Sequence, residues 1–334
     1  MTLTSWSGLI AGGLGALLAA GYIAQKIHES RDSARYPPPG RMVDVGGRSL
    51  HLRCKGEGAG PTVVIEQGLA GPSILWWPVQ DAVARFARVC TYDRAGFQWS
   101  DPVPAGSGVL DAVADLHTLL SKAEIAGPYV LVGHSYGGPL VRLFAREHPT
   151  EVAGVVLVDT PDESIIFRKS FADYNRSLQR MFLVMQTAAR IGLLRLAMSF
   201  QSPTPGLAPD AEQALRAMVA TSRFFSAARE NTRVLARIPA DMHRPDGFGT
   251  LGDRPLSVIA HGVPFPGPAA VLENGWAEGQ QRLARLSSDS ELIVATKSNH
   301  NINTDEPEVV VNAIRRVHAA ARDRTRLAPL RGGS

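Results

Sequence analysis

Short apolar runs alternate with amphipathic stretches over most of this chain, and the spacing predicts alternating strands and helices. Residues 48–56 (RSLHLRCKG) alternate in polarity after a turn at Gly46-Gly47 and read as a strand. Residues 61–68 (PTVVIEQG) form a short, continuous apolar strand ending at Gly68. Residues 81–96 (DAVARFARVCTYDRAG) read as an amphipathic helix running into the strand RVCTYD. A helix is predicted at 108–125, then the strand YVLV at 129–132, a second helical stretch, and the buried strand VAGVVLVDT at 152–160. Residues 255–262 and 291–296 return to strand, with helices at 274–287 and 307–324. Strands alternating with helices imply an α/β fold built on a mostly parallel sheet covered on both faces.

The texture changes between 162 and 253. Residues 171–200 and 208–238 are helical in period, with no strand between them and a proline-glycine break (SPTPG, 202–206) separating them. This stretch is expected to form a helical cap over one end of the sheet, inserted before the last two strands. The core then comprises 41–161 and 254–322, and 323–334, ending RLAPLRGGS, is expected to be a disordered tail. At the other end, 1–25 carries no charged side chain, and Gly8 to Ala24 is apolar throughout. Lys26, Arg31 and Arg35 follow, and YPPPG closes a linker over 26–40. The expectation is a hydrophobic membrane anchor over 1–25. The positive flank after it would keep the catalytic domain in the cytoplasm; the alternative is a cleaved signal and export.

Composition narrows the classes. The net charge is +4, but basic and acidic residues are interleaved and no basic run appears, so a nucleic-acid partner is not expected. Two cysteines, Cys54 and Cys90, make neither a disulfide framework nor a four-ligand zinc site, and they read as free thiols in a reducing compartment. There is no HExxH and no P-loop, and AGGLG (11–15) lacks the strand and helix of a dinucleotide site. No metal and no cofactor is expected.

The chemistry gathers at Gly133-His134-Ser135-Tyr136-Gly137, between the strand YVLV and the helix PLVRLFA. A serine there stands on a strained strand-to-helix turn that raises its hydroxyl at the sheet edge, and flanking glycines remove side chains that would clash. Such a nucleophile needs a base, an acid and an oxyanion hole. The partners follow in the order serine, acid, histidine. His300, in the loop SNHNINTDEPEVV between the last strand and the last helix, is the expected base, with His261 as runner-up and His134 expected to face the core. The loop after the strand PLSVIAHG contains no carboxylate before Glu273. The acid is therefore assigned one strand earlier, to Asp159, with Asp162 and Glu163 close behind. The Tyr136 and Leu69 amides, the latter in EQGLAG after the strand TVVIE, are the expected oxyanion donors. Trp76 and Trp77, just beyond, are expected to wall the substrate pocket.

The segments EQGLAG, YDRAGFQWSD (92–101), VGHSYGG and SNHNINTDEPEVV, in this order, resemble the α/β-hydrolase superfamily over 43–321. Bacterial members with a hydrophobic N-terminus and PPPGR before the first strand are especially similar. The resemblance implies an eight-stranded α/β-hydrolase sheet and a cofactor-independent hydrolase. Gln67 departs from it, standing where many members have histidine, and so does the acid's move to the earlier strand, as in pancreatic-type lipases. A serine nucleophile makes epoxide hydrolysis and dehalogenation unexpected. The expectation is a carboxylesterase acting on a small to medium apolar ester. Amidase or aminopeptidase, thioesterase and lactonase remain alternatives on the same triad, and so does a non-catalytic ligand receptor on the same fold.

Overall fold

A turn at Gly46 and Gly47, with φ of 107° and 82°, folds strand β1 (Arg41–Asp44) back onto β2 (Ser49–Lys55). Side chains other than glycine rarely adopt such angles. The structure, a computed structural model, describes residues 3–244 and 246–328. After β2 the chain runs through β3 (Thr62–Glu66), α2 (Trp77–Val83), β4 (Val89–Tyr92), α3 (Val109–Lys122), β5 (Tyr129–His134), α4 (Gly137–Glu147) and β6 (Val152–Val158), with α1 (Leu3–Arg35) preceding β1. Five helices follow before the next strand: α5 (Glu163–Ile166), α6 (Lys169–Arg190), α7 (Leu193–Met198), α8 (Pro209–Val219) and α9 (Ser222–Ala236). The chain ends through β7 (Leu256–His261), α10 (Trp276–Ala284), β8 (Ser290–Ala295), α11 (Ile302–Asp305) and α12 (Pro307–Asp323). One eight-stranded sheet has the order β1-β2-β4-β3-β5-β6-β7-β8, antiparallel at β2 and parallel from β4 to β8.

Both faces of the sheet are dry, which is why the central strands read as continuous apolar runs. Val64, Leu131, Val155 and Leu157 pack toward α3, α4 and α10. Their neighbours Val63, Val130, Val132 and Val156 pack toward α2 and α12. Alternate residues of one strand thus serve opposite layers.

Helix boundaries depart from the sequence pattern where local chemistry intervenes. The helix expected from 81 begins at Trp77, with Pro78 in its first turn, and ends at Val83. Gly192, at φ 78°, breaks the long period of 171–200 into α6 and α7. The Thr221 hydroxyl accepts from the Phe224 amide at 3.2 Å and starts α9. Phe182, Phe224 and Phe225 pack with Phe97 in a core of this helical region.

Helix α1 (Leu3–Arg35) corrects the reading of the N-terminus. Residues 26–35 are not a linker but its C-terminal turns. Gln25 is buried and donates to the Ala220 carbonyl at 3.2 Å, Asp32 pairs with Arg195 at 2.7 Å, and the Tyr36 carbonyl accepts from Trp99 at 2.9 Å. These docking contacts extend the helix past the apolar run. Among the described residues no helix is long and apolar enough to cross a membrane. Of the expected tail, 324–328 follow α12, with the Leu327 amide on Asp289, and 329–334 lie outside the described residues.

The cysteines are a second correction. The register of β2 and β4 sets Cys54 directly opposite Cys90, and a disulfide joins them. Free thiols were expected from the assumption of a reducing compartment, where such bonds do not persist.

Candidate active site

β5 delivers Ser135 at a turn that only small neighbours permit. Ser135 has φ 51°, in the left-handed region, and its amide donates to the Val158 carbonyl at 3.0 Å. A Cβ on Gly133 would lie 2.6 Å from Val141 Cγ2, and one on Gly137 would lie 2.4 Å from the Glu66 carbonyl oxygen. The two glycines therefore let α4 start against the ends of β3 and β5, with the serine held between them. Holding a non-glycine residue in this region costs roughly 1–3 kcal/mol, and the surrounding packing sustains it.

His300 reaches the serine from the loop after β8. Its Nε2 lies 2.7 Å from Ser135 Oγ and its Nδ1 lies 2.6 Å from Asp159 Oδ2. A carboxylate can only accept, so Nδ1 carries the proton and the Nε2 lone pair faces the hydroxyl. Asp159, just past β6 at φ 46°, is fully buried and surrounded by donors. Besides His300 it accepts from the Trp276 indole at 2.9 Å, from His261 Nδ1 at 2.8 Å, and from the His261 amide at 3.2 Å. Burial opposes its ionisation, but the hydrogen bonds from His261 and His300 and their charge outweigh it. They hold the carboxyl well below the ordinary carboxylate range.

The loop after β3 is fixed from below. Arg94 is buried, paired with Glu66, and donates to the Gln67 and Gly68 carbonyls at 2.5 Å each. The peptide between Gly68 and Leu69 is planar, so anchoring its carbonyl on Arg94 turns the Leu69 N–H to the opposite side. Neither the Leu69 nor the Tyr136 amide has a hydrogen-bond partner among the described residues. Gln67 turns inward, donating to the Tyr92 carbonyl at 2.7 Å.

Ser135 and His300 open into a cavity of 430 Å³ walled by Leu69, Leu75, Trp76, Pro203 and Pro205, with Asn301 and Thr304 on its polar side. Trp76 thus lies where the sequence places it, but Trp77 does not. Its ring stacks parallel to Trp99, under the Arg53 guanidinium at 4.2 Å. Adjacent residues entering a helix point about 100° apart, so the two tryptophans cannot share one wall.

Four residues in this assembly were missed or misplaced by sequence reasoning. His134 does not simply face the core: it borders the cavity, and its Nε2–H donates to the His300 carbonyl at 2.9 Å. Burial, and then the nearby His300, lower its pKa to about 3, so it is a neutral donor that holds the His300 main chain. His261 sits beside Asp159 and has no bond to Ser135 among the described residues. Trp276 and Arg94 carried no signal of their own, although Arg94 lies within YDRAGFQWSD. The assigned alternatives to the acid have other work: Asp162 pairs with Arg282 at 2.6 Å, and Glu163 binds Arg142 at 2.6 Å.

His117, His148 and Glu151 also come within 4.8 Å of one another, near the opposite edge of the sheet. The two imidazoles are stacked 3.8 Å apart with planes 4° from parallel, so one ion could not lie in both ring planes.

A family model described as alpha/beta hydrolase fold matches residues 61–191. A probable transporter of Hormonema carpetanum, efuK, is 28% identical over 87% of this chain, which spans 44% of that protein's length. The uncharacterized protein YqjL of Bacillus subtilis is 26% identical over 84% of this chain and 92% of its own. Among solved structures, a thermophilic esterase from Thermogutta terrifontis superposes with a TM-score of 0.61 at 20% identity, covering 84% of this chain and 98% of that one.

Proposed function

We propose that this chain, whose residues 61–191 match the alpha/beta hydrolase fold model, is a hydrolase that cleaves carboxylic esters through an acyl-enzyme on Ser135. One observation carries the reading: an unbroken path of hydrogen bonds runs from Asp159 through His300 to a serine hydroxyl that opens on a cavity. His300 Nε2 takes the hydroxyl proton as Oγ bonds to the acyl carbon, and the carbonyl electron pair moves onto oxygen. The Leu69 and Tyr136 amides donate to that oxyanion. Collapse expels the alcohol, which takes the proton from His300. Water then repeats the sequence on the acyl-enzyme and releases the acid. Trp76, Leu69, Leu75 and the two prolines favour a small to medium apolar ester.

The test is p-nitrophenyl butyrate turnover by the purified protein and its Ser135→Ala variant, with a phosphonate probe read by peptide mass spectrometry. Labelling of Ser135 and loss of turnover are expected. An alanine variant keeping more than about a tenth of the activity would end the reading, since losing a nucleophile costs many powers of ten.

The exposed apolar turns of α1, with Leu14, Leu17, Leu18 and Ile23 turned to solvent, support contact with a lipid surface. We propose that this helix lies against a membrane without spanning it.

A further inference from the structure

Asp159 serves two histidines. His300 Nδ1 and His261 Nδ1 both reach Oδ2, at 2.6 and 2.8 Å, and His261 Nδ1 also lies 2.9 Å from Oδ1. The far side of the His261 ring is not left to solvent. Its Nε2 lies 3.4 Å from Glu273, at the end of the 3₁₀ turn Gly267–Leu272, and the same carboxylate accepts from the Phe265 amide at 3.0 Å. Phe265 and Trp276 cover the ring, with centroids 4.7 and 6.1 Å away. The result is one chain of polar contacts: Ser135, His300, Asp159, His261, Glu273.

We propose that His261 is a positioning residue that shares the Asp159 carboxylate with His300, and that its proton, held by Glu273, sets the pH at which the Ser135–His300 pair becomes active. The proposal rests on the serine-hydrolase reading. With a proton on each nitrogen, His261 donates to both carboxylates and carries a positive charge next to Asp159. Without the second proton, a bare Nε2 lone pair faces the Glu273 carboxylate. The titratable groups facing His261 among the described residues are Asp159 and Glu273, with His300 across Asp159. Burial opposes charge on His261, but the hydrogen bonds and charges of Asp159 and Glu273 outweigh it, so its pKa is raised.

The consequence falls on catalysis. His300 must start neutral to accept the Ser135 proton. A charged His261 on the shared carboxylate disfavours a second proton on His300, which keeps the base free at lower pH. It also means that Asp159 supports the imidazolium of the transition state with only part of its charge.

The experiment is the pH profile of kcat/KM for p-nitrophenyl butyrate in the wild type, His261→Asn and Glu273→Gln, with ring ¹⁵N spectra of His261 in the wild type and Glu273→Gln. Asparagine keeps a donor toward Asp159 but cannot be charged. Its acid limb is expected to move up by about two to three pH units, as removal of a charge a few ångströms away implies at an effective dielectric near 20. Glu273→Gln should move the limb the same way by less, and should lower the pH at which the His261 ring titrates. A purely structural His261 would lower the melting temperature and kcat with the limb in place, and that result overturns the proposal. If His261→Asn does not fold, Glu273→Gln decides, since that carboxylate is half exposed and its hydrogen bond to Phe265 survives as an amide oxygen. An unchanged ring titration in that variant overturns the proposal even where no esterase activity is found. Absence of Ser135-dependent turnover would instead sink the esterase reading alone.

Discussion

Asp159 and His300 stand 141 positions apart in the chain and meet in a 2.6 Å hydrogen bond. The bond fixes the tautomer of His300, so its removal should act on the reaction more than on the fold. Asp159→Asn is expected to lower kcat by about 10⁴, because an amide can present its NH₂ to Nδ1 and stabilise the wrong tautomer. Asp162→Asn should instead cost stability, since Asp162 caps α5 through the Ile165 amide and pairs with Arg282. Melting curves and turnover measured on both variants check this. The reverse pattern would move the acid to Asp162.

The same carboxylate carries a pH signature. Its pKa is depressed in the folded protein by the two imidazole donors, so the stability it contributes is fully present above the unfolded carboxylate value of about 4. It is lost as pH falls through the lower, folded value. Chemical denaturation between about pH 5 and pH 2 should therefore show a steeper loss in the wild type than in Asp159→Asn. Parallel curves would mean that the folded carboxyl is not depressed.

Arg94 links a buried ion pair to the oxyanion loop. Lysine in its place can still neutralise Glu66, but a single ammonium cannot hold both the Gln67 and Gly68 carbonyls in the guanidinium's forked geometry. Arg94→Lys should lower kcat about ten- to a hundredfold with KM little changed, the pattern of a loosened oxyanion donor. Steady-state kinetics decide it, and a kcat within twofold of wild type would detach Arg94 from catalysis.

What the sequence could carry was whatever local pattern encodes. Ser135 was legible because a strand, two glycines and a helix leave few other readings, and His300 because its loop follows the last strand. The donors around Asp159 were not legible. His261 and Trp276 lie more than 100 positions downstream and arrive only because β7 pairs with β6. The opposition of Cys54 and Cys90 is likewise a fact of register between strands, not of either strand's pattern. The apolar run 1–25 was read by composition alone, and what composition omits is that residues 25–36 bind the cap.

The disulfide gives a direct count. Thiol titration of the unfolded, unreduced protein should find no free cysteine. The bond closes a loop with a sequence separation of 36, which in the chain-entropy model is worth about 3–4 kcal/mol. Cys54→Ser with Cys90→Ser should lower stability by about that amount while leaving ester turnover at a permissive temperature. Two free thiols would instead restore the reducing-compartment reading, since such bonds persist in oxidising environments.

The N-terminal helix divides into two parts with different expected roles. Between Leu14 and Ile23 its large apolar side chains stand in solvent, with Leu17 at 71% and Ile23 at 58% exposure. From Gln25 onward it is bonded to the cap and to the loop carrying Trp99, and Tyr36 packs beside Ile74 and Leu215. Deleting residues 1–20 should therefore abolish co-sedimentation with lipid vesicles and leave the melting temperature unchanged. Deleting 1–40 should also remove the Gln25 and Tyr36 hydrogen bonds, at about 1 kcal/mol each, and loosen α7, α8 and the cavity wall at Pro203 and Pro205. The longer deletion is expected to melt earlier and to show a raised KM for p-nitrophenyl butyrate. Vesicle sedimentation and calorimetry on the two deletions separate the roles. If the longer deletion is as stable as the full chain, the docking contacts contribute nothing; if the shorter one still sediments with vesicles, the lipid contact lies elsewhere.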